Sequence, residues 1–109
     1  MTAEGIASTL LALRGRTTCD ELLGDMLDAA ARYAHLRVNW MLRDAVGRAE
    51  LDRARTSAHD VLIDSCNILS RAMLRAGEDN TWRADLGSDR GFIGDVACHL
   101  HCRLGLAAR

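Results

Sequence analysis

His59, Asp60 and Asp64 fall close together in a stretch with helical periodicity, and a histidine beside two carboxylates can move a proton or hold a divalent cation. They are the candidate catalytic residues. Asp60 and Asp64 stand one turn apart, where two like charges disfavour a helix by a few tenths of a kcal/mol unless something cationic answers them. Arginine from a neighbouring element, a metal ion or a bound cationic group would each serve. The plainer of these is internal arginine, because all 14 basic residues are arginine and none is lysine. Arg83 and Arg90, from the segment around Trp82, are therefore expected to reach Asp60, Asp64 or Asn67. The resulting polar network, or ligand site, would take in Arg55, Asn67, Arg71, Arg83, Arg90 and Asp95.

A second group lies near the C-terminus, where Asp95, Cys98, His99 and Cys102 share the side of a helix opposite Ile93, Val96, Ala97 and Leu100. Cys98 and Cys102, one turn apart, have the chemistry to ligate a soft metal together with His99. The spacing is not that of a zinc finger, and the plainer role is that of small apolar side chains packed in a second interface. No resident metal or other cofactor is expected.

Composition limits what these groups can do. The chain has 109 residues, 49% of them hydrophobic, with only two Trp, one Tyr and one Phe, so its core must be made of Leu, Ala, Val, Ile and Met. Such residues favour helix over sheet. Proline is absent, the β-branched residues are scattered singly, and no stretch alternates as a strand would. A formal charge of -1 is not that of a dedicated nucleic-acid binder, and the lack of lysine removes Schiff-base chemistry and the Walker-type phosphate loop. Four cysteines at irregular spacing do not make a disulfide framework, no signal-peptide pattern opens the chain, and no apolar run is long enough for a bilayer. Reduced thiols, a cytoplasmic location and no membrane are expected.

The elements that must position these side chains are helices. Thr2 can cap a first helix over residues 3–13, closed by Gly15. Thr18 and Glu21 read as a capping box opening a long helix over residues 19–46, with Gly47 as its stop. A third helix then runs to Gly77 with Leu51, Ala54, Ala58, Val61, Leu62, Ile68, Leu69 and Ala72 on its apolar stripe. Its other face, with Thr56, Asp60, Ile63, Asn67 and Leu74, mixes polar and apolar groups and reads as half-buried. Residues 78–91 form a loop with one helical turn around Trp82. Ser88 can cap a last helix over residues 89–106. The expected fold is all-α, a single domain over residues 1–109, built as an up-and-down bundle of four helices around a long central hairpin.

Three resemblances bear on function. His35, His59-Asp60 and Asp95 come in the order in which the all-helical HD-type phosphohydrolases present metal ligands, though His35 falls on a polar face here. Arg53 and His59 resemble the Arg-x(4–6)-His element of the small helical HEPN ribonucleases, with Ala54 where a polar residue usually follows the arginine. More extensively, Arg55-Thr56, His59, Ile63-Asp64, Asn67-Ile68-Leu69, Arg71 and Met73, then Trp82-Arg83, Leu86-Gly87, Asp89-Arg90, Ile93-Gly94-Asp95 and Ala97-Cys98, resemble an uncharacterised family of small helical bacterial proteins classed as a domain of unknown function. That likeness covers about the last two thirds of the chain and implies a bacterial helical protein, without catalytic residues.

With no complete catalytic constellation, the leading expectation is a non-enzymatic module that associates with a copy of itself, as a homodimer, or with another protein. Its basis is a third helix that is apolar on two faces. The alternative is a small phosphoester hydrolase or ribonuclease working through His59, Asp60 and Asp64, with Arg55 or Arg83 on the phosphate. Enzyme or not is left open at this stage, and a small-molecule ligand is compatible with either.

Overall fold

A computed structural model describes residues 1–107, and the side chains of residues 1–105. Five helices follow one another: α1 (Ala3–Ala12), α2 (Asp20–Met41), α3 (Ala45–Arg75), α4 (Thr81–Leu86) and α5 (Arg90–Ala107), with no strand among the described residues. The all-α class stands as expected. The helix count is five rather than four, because the turn around Trp82 is a helix in its own right.

Local chemistry explains the boundaries, including three that differ from expectation. Thr2 caps α1, its hydroxyl accepting from the Gly5 N–H at 3.0 Å. At the start of α2 the expected capping box between Thr18 and Glu21 does not form: Cys19 is the N-cap and offers no side-chain bond. Thr18 instead donates its hydroxyl to Glu78 Oε2 at 2.5 Å, and its N–H donates to the same oxygen at 3.2 Å. These bonds hold the Glu78 carboxyl below the usual pKa, with Thr17 the largest cause and Thr18 next. The α1–α2 connection is thereby tied to the α3–α4 connection.

Gly47 does not stop α2. Asp44 accepts from the Gly47 N–H at 2.8 Å and starts a new helix, so Gly47 sits in the first turn of α3. A side-chain acceptor satisfies a helix N-terminus that would otherwise be bare, and this outweighs the weak helix-ending tendency of a glycine that keeps a negative φ. Gly77, by contrast, does end a helix. It adopts φ +75° just past α3, and the Glu78 N–H returns to the Met73 carbonyl at 2.9 Å in a Schellman arrangement. The last helix is opened by Asp89, not Ser88: its carboxylate accepts from the Gly91 N–H at 3.2 Å.

The core is one cluster drawn from every helix. Ile6 and Leu10 of α1, Leu23, Met26, Ala30 and Tyr33 of α2, and Leu62, Cys66, Leu69 and Met73 of α3 meet Trp82 and Leu86 of α4 and Ile93, Val96, Ala97 and Leu100 of α5. Cys66, sealed among them, has its thiol pushed up to about 11 by burial, partly opposed by the Arg83 charge. The stripe foreseen on α3 is shifted. Val61 and Ile68 are exposed, while Cys66, Ser70 and Met73 are buried in their place.

The α2–α3 hairpin outreaches the rest. At about 1.5 Å per residue, the 31 residues of α3 span roughly 46 Å, close to the 47 Å long axis of the whole molecule. At its N-terminal end α5 meets the hairpin through Arg90, which donates to Thr56 Oγ1 at 3.1 Å, and through Asp95, which accepts from Arg37 at 2.9 Å. Beyond Arg37 and before Thr56 most of the hairpin's residues are exposed, with Arg90 of α5 reaching alongside Asp52, Arg53 and Arg55.

Candidate functional site

On α3 the expected catalytic trio does not converge. His59 turns inward, its ring edge-on to Tyr33 at 5.4 Å between centroids, and its Nε2 is buried without a hydrogen-bond partner. Asp60 and Asp64 point outward into solvent, the Asp60 side chain 70% exposed. The one link between them, His59 Nδ1 to Asp60 Oδ1, is 3.5 Å, too long for a strong hydrogen bond.

The arginines expected to answer those acids go elsewhere. Arg83 donates through Nε to Asn67 Oδ1 at 2.7 Å and through Nη1 to the Gly87 carbonyl at 2.9 Å, so it closes the C-terminal end of α4 onto α3. Arg90 bonds Thr56, as above. Arg71 is exposed, and among the described residues no arginine lies within ion-pair distance of Asp60 or Asp64. The physical reason is placement. Thr56, Asp60 and Asn67 share one side of α3, and Asp60 lines an open depression with Arg55, Thr56 and Arg90 without reaching ion-pair distance of an arginine, whereas Asp64 is turned about sixty degrees further round from Asn67, where water solvates it. The Arg83–Asn67 part of the expected network forms and the acid-to-arginine part does not; on α3's second face Ile63 and Asn67 are half-buried, while Thr56, Asp60 and Leu74 are exposed.

Arg55 belongs to a different assembly at the far end of the hairpin. Its guanidinium stacks on the Trp40 ring at 4.0 Å and Arg48 stacks on the same ring at 4.5 Å. Asp52 Oδ1 accepts from both Trp40 Nε1 at 3.0 Å and Arg55 Nη2 at 3.2 Å. Leu51 and Arg55 continue, at spacings of four and three residues, the α3 stripe that runs on through Ala58 and Leu62. In the covered half those positions hold core residues. Here arginine side chains and an aromatic ring do the packing: Arg48 stays exposed, while Arg55 is half-buried and its Nε has no hydrogen-bond partner.

Asp95 pairs with Arg37 at 2.9 Å. Cys98, His99 and Cys102 lie on the same side of α5, and no group of three or more His, Cys, Asp or Glu converges for a metal ion among the described residues.

What sequence reasoning missed is the end of the hairpin. Leu42 is 79% exposed, Val46 70%, Met41 57% and Val38 48%. Ala30, Ala34, Val38 and Met41 follow one another at spacings of four, four and three, so Val38 and Met41 lie on or beside the face of α2 that is core two turns earlier. Among the described residues, apart from Met1, every large hydrophobic residue that is exposed lies between Val38 and Leu74, on the α2–α3 hairpin. Comparison with protein families, with curated proteins and with solved structures finds no match to this chain. The signal was present in the pattern, since the apolar stripe of α2 runs on to Met41 while the last helix is too short to follow it.

No helix among the described residues is long and apolar enough to cross a membrane. Val38, Met41, Leu42 and Val46 are the exposed large apolar residues around the α2–α3 connection.

Proposed function

We propose that the protein is a non-enzymatic self-association module, cytoplasmic and homodimeric, whose docking element is the free end of the α2–α3 hairpin. The observation that carries this reading is that, among the described residues and Met1 aside, every exposed large apolar side chain lies on that hairpin, four of the seven between Val38 and Val46. Scattered surface hydrophobics are ordinary, but four in one short stretch around a hairpin connection form a patch of the kind that marks an interface. The occupant is a second copy. Two helices leave part of each apolar face open, and a pair of such hairpin ends related by a two-fold axis makes four helices around a shared core.

The phosphoester alternative draws no comparable support, because the His59 ring packs on Tyr33 with its Nε2 buried, and its contact with Asp60 is a long one at 3.5 Å. Size-exclusion chromatography with light scattering at tens of micromolar protein tests the proposal. A mass of twice the chain is expected; a monomer across that range would refute it.

A further inference from the structure

A separate feature lies on α5, away from the hairpin end. Cys98 and Cys102 line one open depression together with Ala3, Asp95 and His99. Both thiols are free, Cys98 half-buried and Cys102 exposed. Beside them Arg37 lies across Gly94, a position where a Cβ would come within 2.8 Å of the guanidinium carbon, so only glycine leaves this path open without displacing the arginine. From there Arg37 Nη1 donates to Asp95 at 2.9 Å and to Cys98 Sγ at 3.7 Å. Burial alone would lower the Arg37 pKa, but these two partners together hold it above its usual value.

We propose that Cys98 and Cys102 bind one soft monovalent cation of the Cu(I) or Ag(I) class, held between their two sulfurs. Residues one turn apart on a helix have Cβ atoms about 5–6 Å apart, and metal–thiolate bonds are about 2.3 Å, so sulfurs some 4.6 Å apart suit a linear ion and side-chain rotation can supply that spacing. A soft monovalent ion is satisfied by two thiolates, whereas zinc asks for four ligands, and no third group converges here. Binding releases the two thiol protons. The resulting bis-thiolate complex carries one net negative charge, and Arg37, already bonded to Cys98, is the cation placed to balance it. Cys19, beside Thr17 and Thr18 before α2, and Cys66, inside the core, have no thiol neighbour one turn away.

The test is competition for Cu(I) between the full chain and a chromophoric Cu(I) chelator, anaerobically and with thiols reduced. One Cu(I) per chain is expected. Cys102→Ser, at an exposed position that cannot unfold the core, should weaken binding by more than about 100-fold, beyond the 10–100-fold range typical of outer-shell partners, and Arg37→Gln should fall within that range. Cys19→Ser should bind as the wild type does. No withdrawal of Cu(I) from the chelator, or equal affinity in wild type and Cys102→Ser, would overturn the proposal.

Discussion

The two halves of the α2–α3 hairpin are built on the same helical periodicity and end in opposite states. In the half from Leu23 to Ala34 and from Ala58 to Met73, the inner stripe is sealed under α1, α4 and α5. In the half from Val38 through Arg55, the same stripe carries Met41 and Val38 into solvent, and Arg48 and Arg55 stack on Trp40 between the helices. Amphipathic patterning therefore says which face of a helix wants cover, while the lengths of the other helices decide whether this chain provides it. The uncovered half is where a second chain is needed.

The largest expected effect lies in the covered half. Leu69→Ala, at a fully buried position, should destabilise the fold by about 2–5 kcal/mol in urea unfolding monitored by circular dichroism, through lost burial and the cavity left behind. Met41→Ala, on the corresponding stripe of the open half, should change the stability of the dissociated chain by no more than about 0.5 kcal/mol while weakening association. Equal losses from the two substitutions would erase the distinction between the halves.

Next in size is Arg83→Ala, which removes the bonds to Asn67 and Gly87 and strands partly buried acceptors. A loss of about 1–3 kcal/mol is expected in the same assay. Trp40→Ala removes the surface on which Arg48 and Arg55 stack, and about 1–2 kcal/mol should go with it, read most directly as faster hydrogen exchange at the hairpin end.

Glu78→Gln tests the tie between the two connections by its pH dependence. Because the folded carboxyl sits below its ordinary value of 4.5, its contribution is complete above that pH and is lost as the pH falls through the lower folded value. The variant should therefore melt below the wild type at pH 7, and the gap should close in strong acid. Smallest of all, Asp64→Asn should leave stability unchanged or raise it by a few tenths of a kcal/mol, since the substitution relieves repulsion with Asp60 and breaks no ion pair.

How far the residues themselves foretold this can be seen element by element. Thr2, Gly15 and Gly77 act where local rules place them, because caps and left-handed turns are settled within a few residues. Thr18 defied its local pattern because the acceptor for its hydroxyl, Glu78, comes from sixty residues away, and short-range rules do not see it. Gly47 misled because Asp44 competes as a cap, and the cap prevails. The site was less legible than the fold. Arg83 and Asn67 were rightly grouped, yet the choice between Asn67 and Asp64 as the arginine's partner turns on about sixty degrees of helix rotation, which sequence spacing defines only relative to neighbours whose positions are unknown. The same uncertainty hid Val61 and Ile68, which share a period with the core and stand just outside it.

Hydrogen exchange measured by mass spectrometry at low and high protein concentration bears most directly on the contrast between the two halves. Amides from Val38 to Arg55 should gain protection as concentration rises, while those of Leu23–Ala34 and Ala58–Met73 keep the same rates. Exchange that is independent of concentration throughout, or protection gained on α1 or α5 instead, would contradict the account.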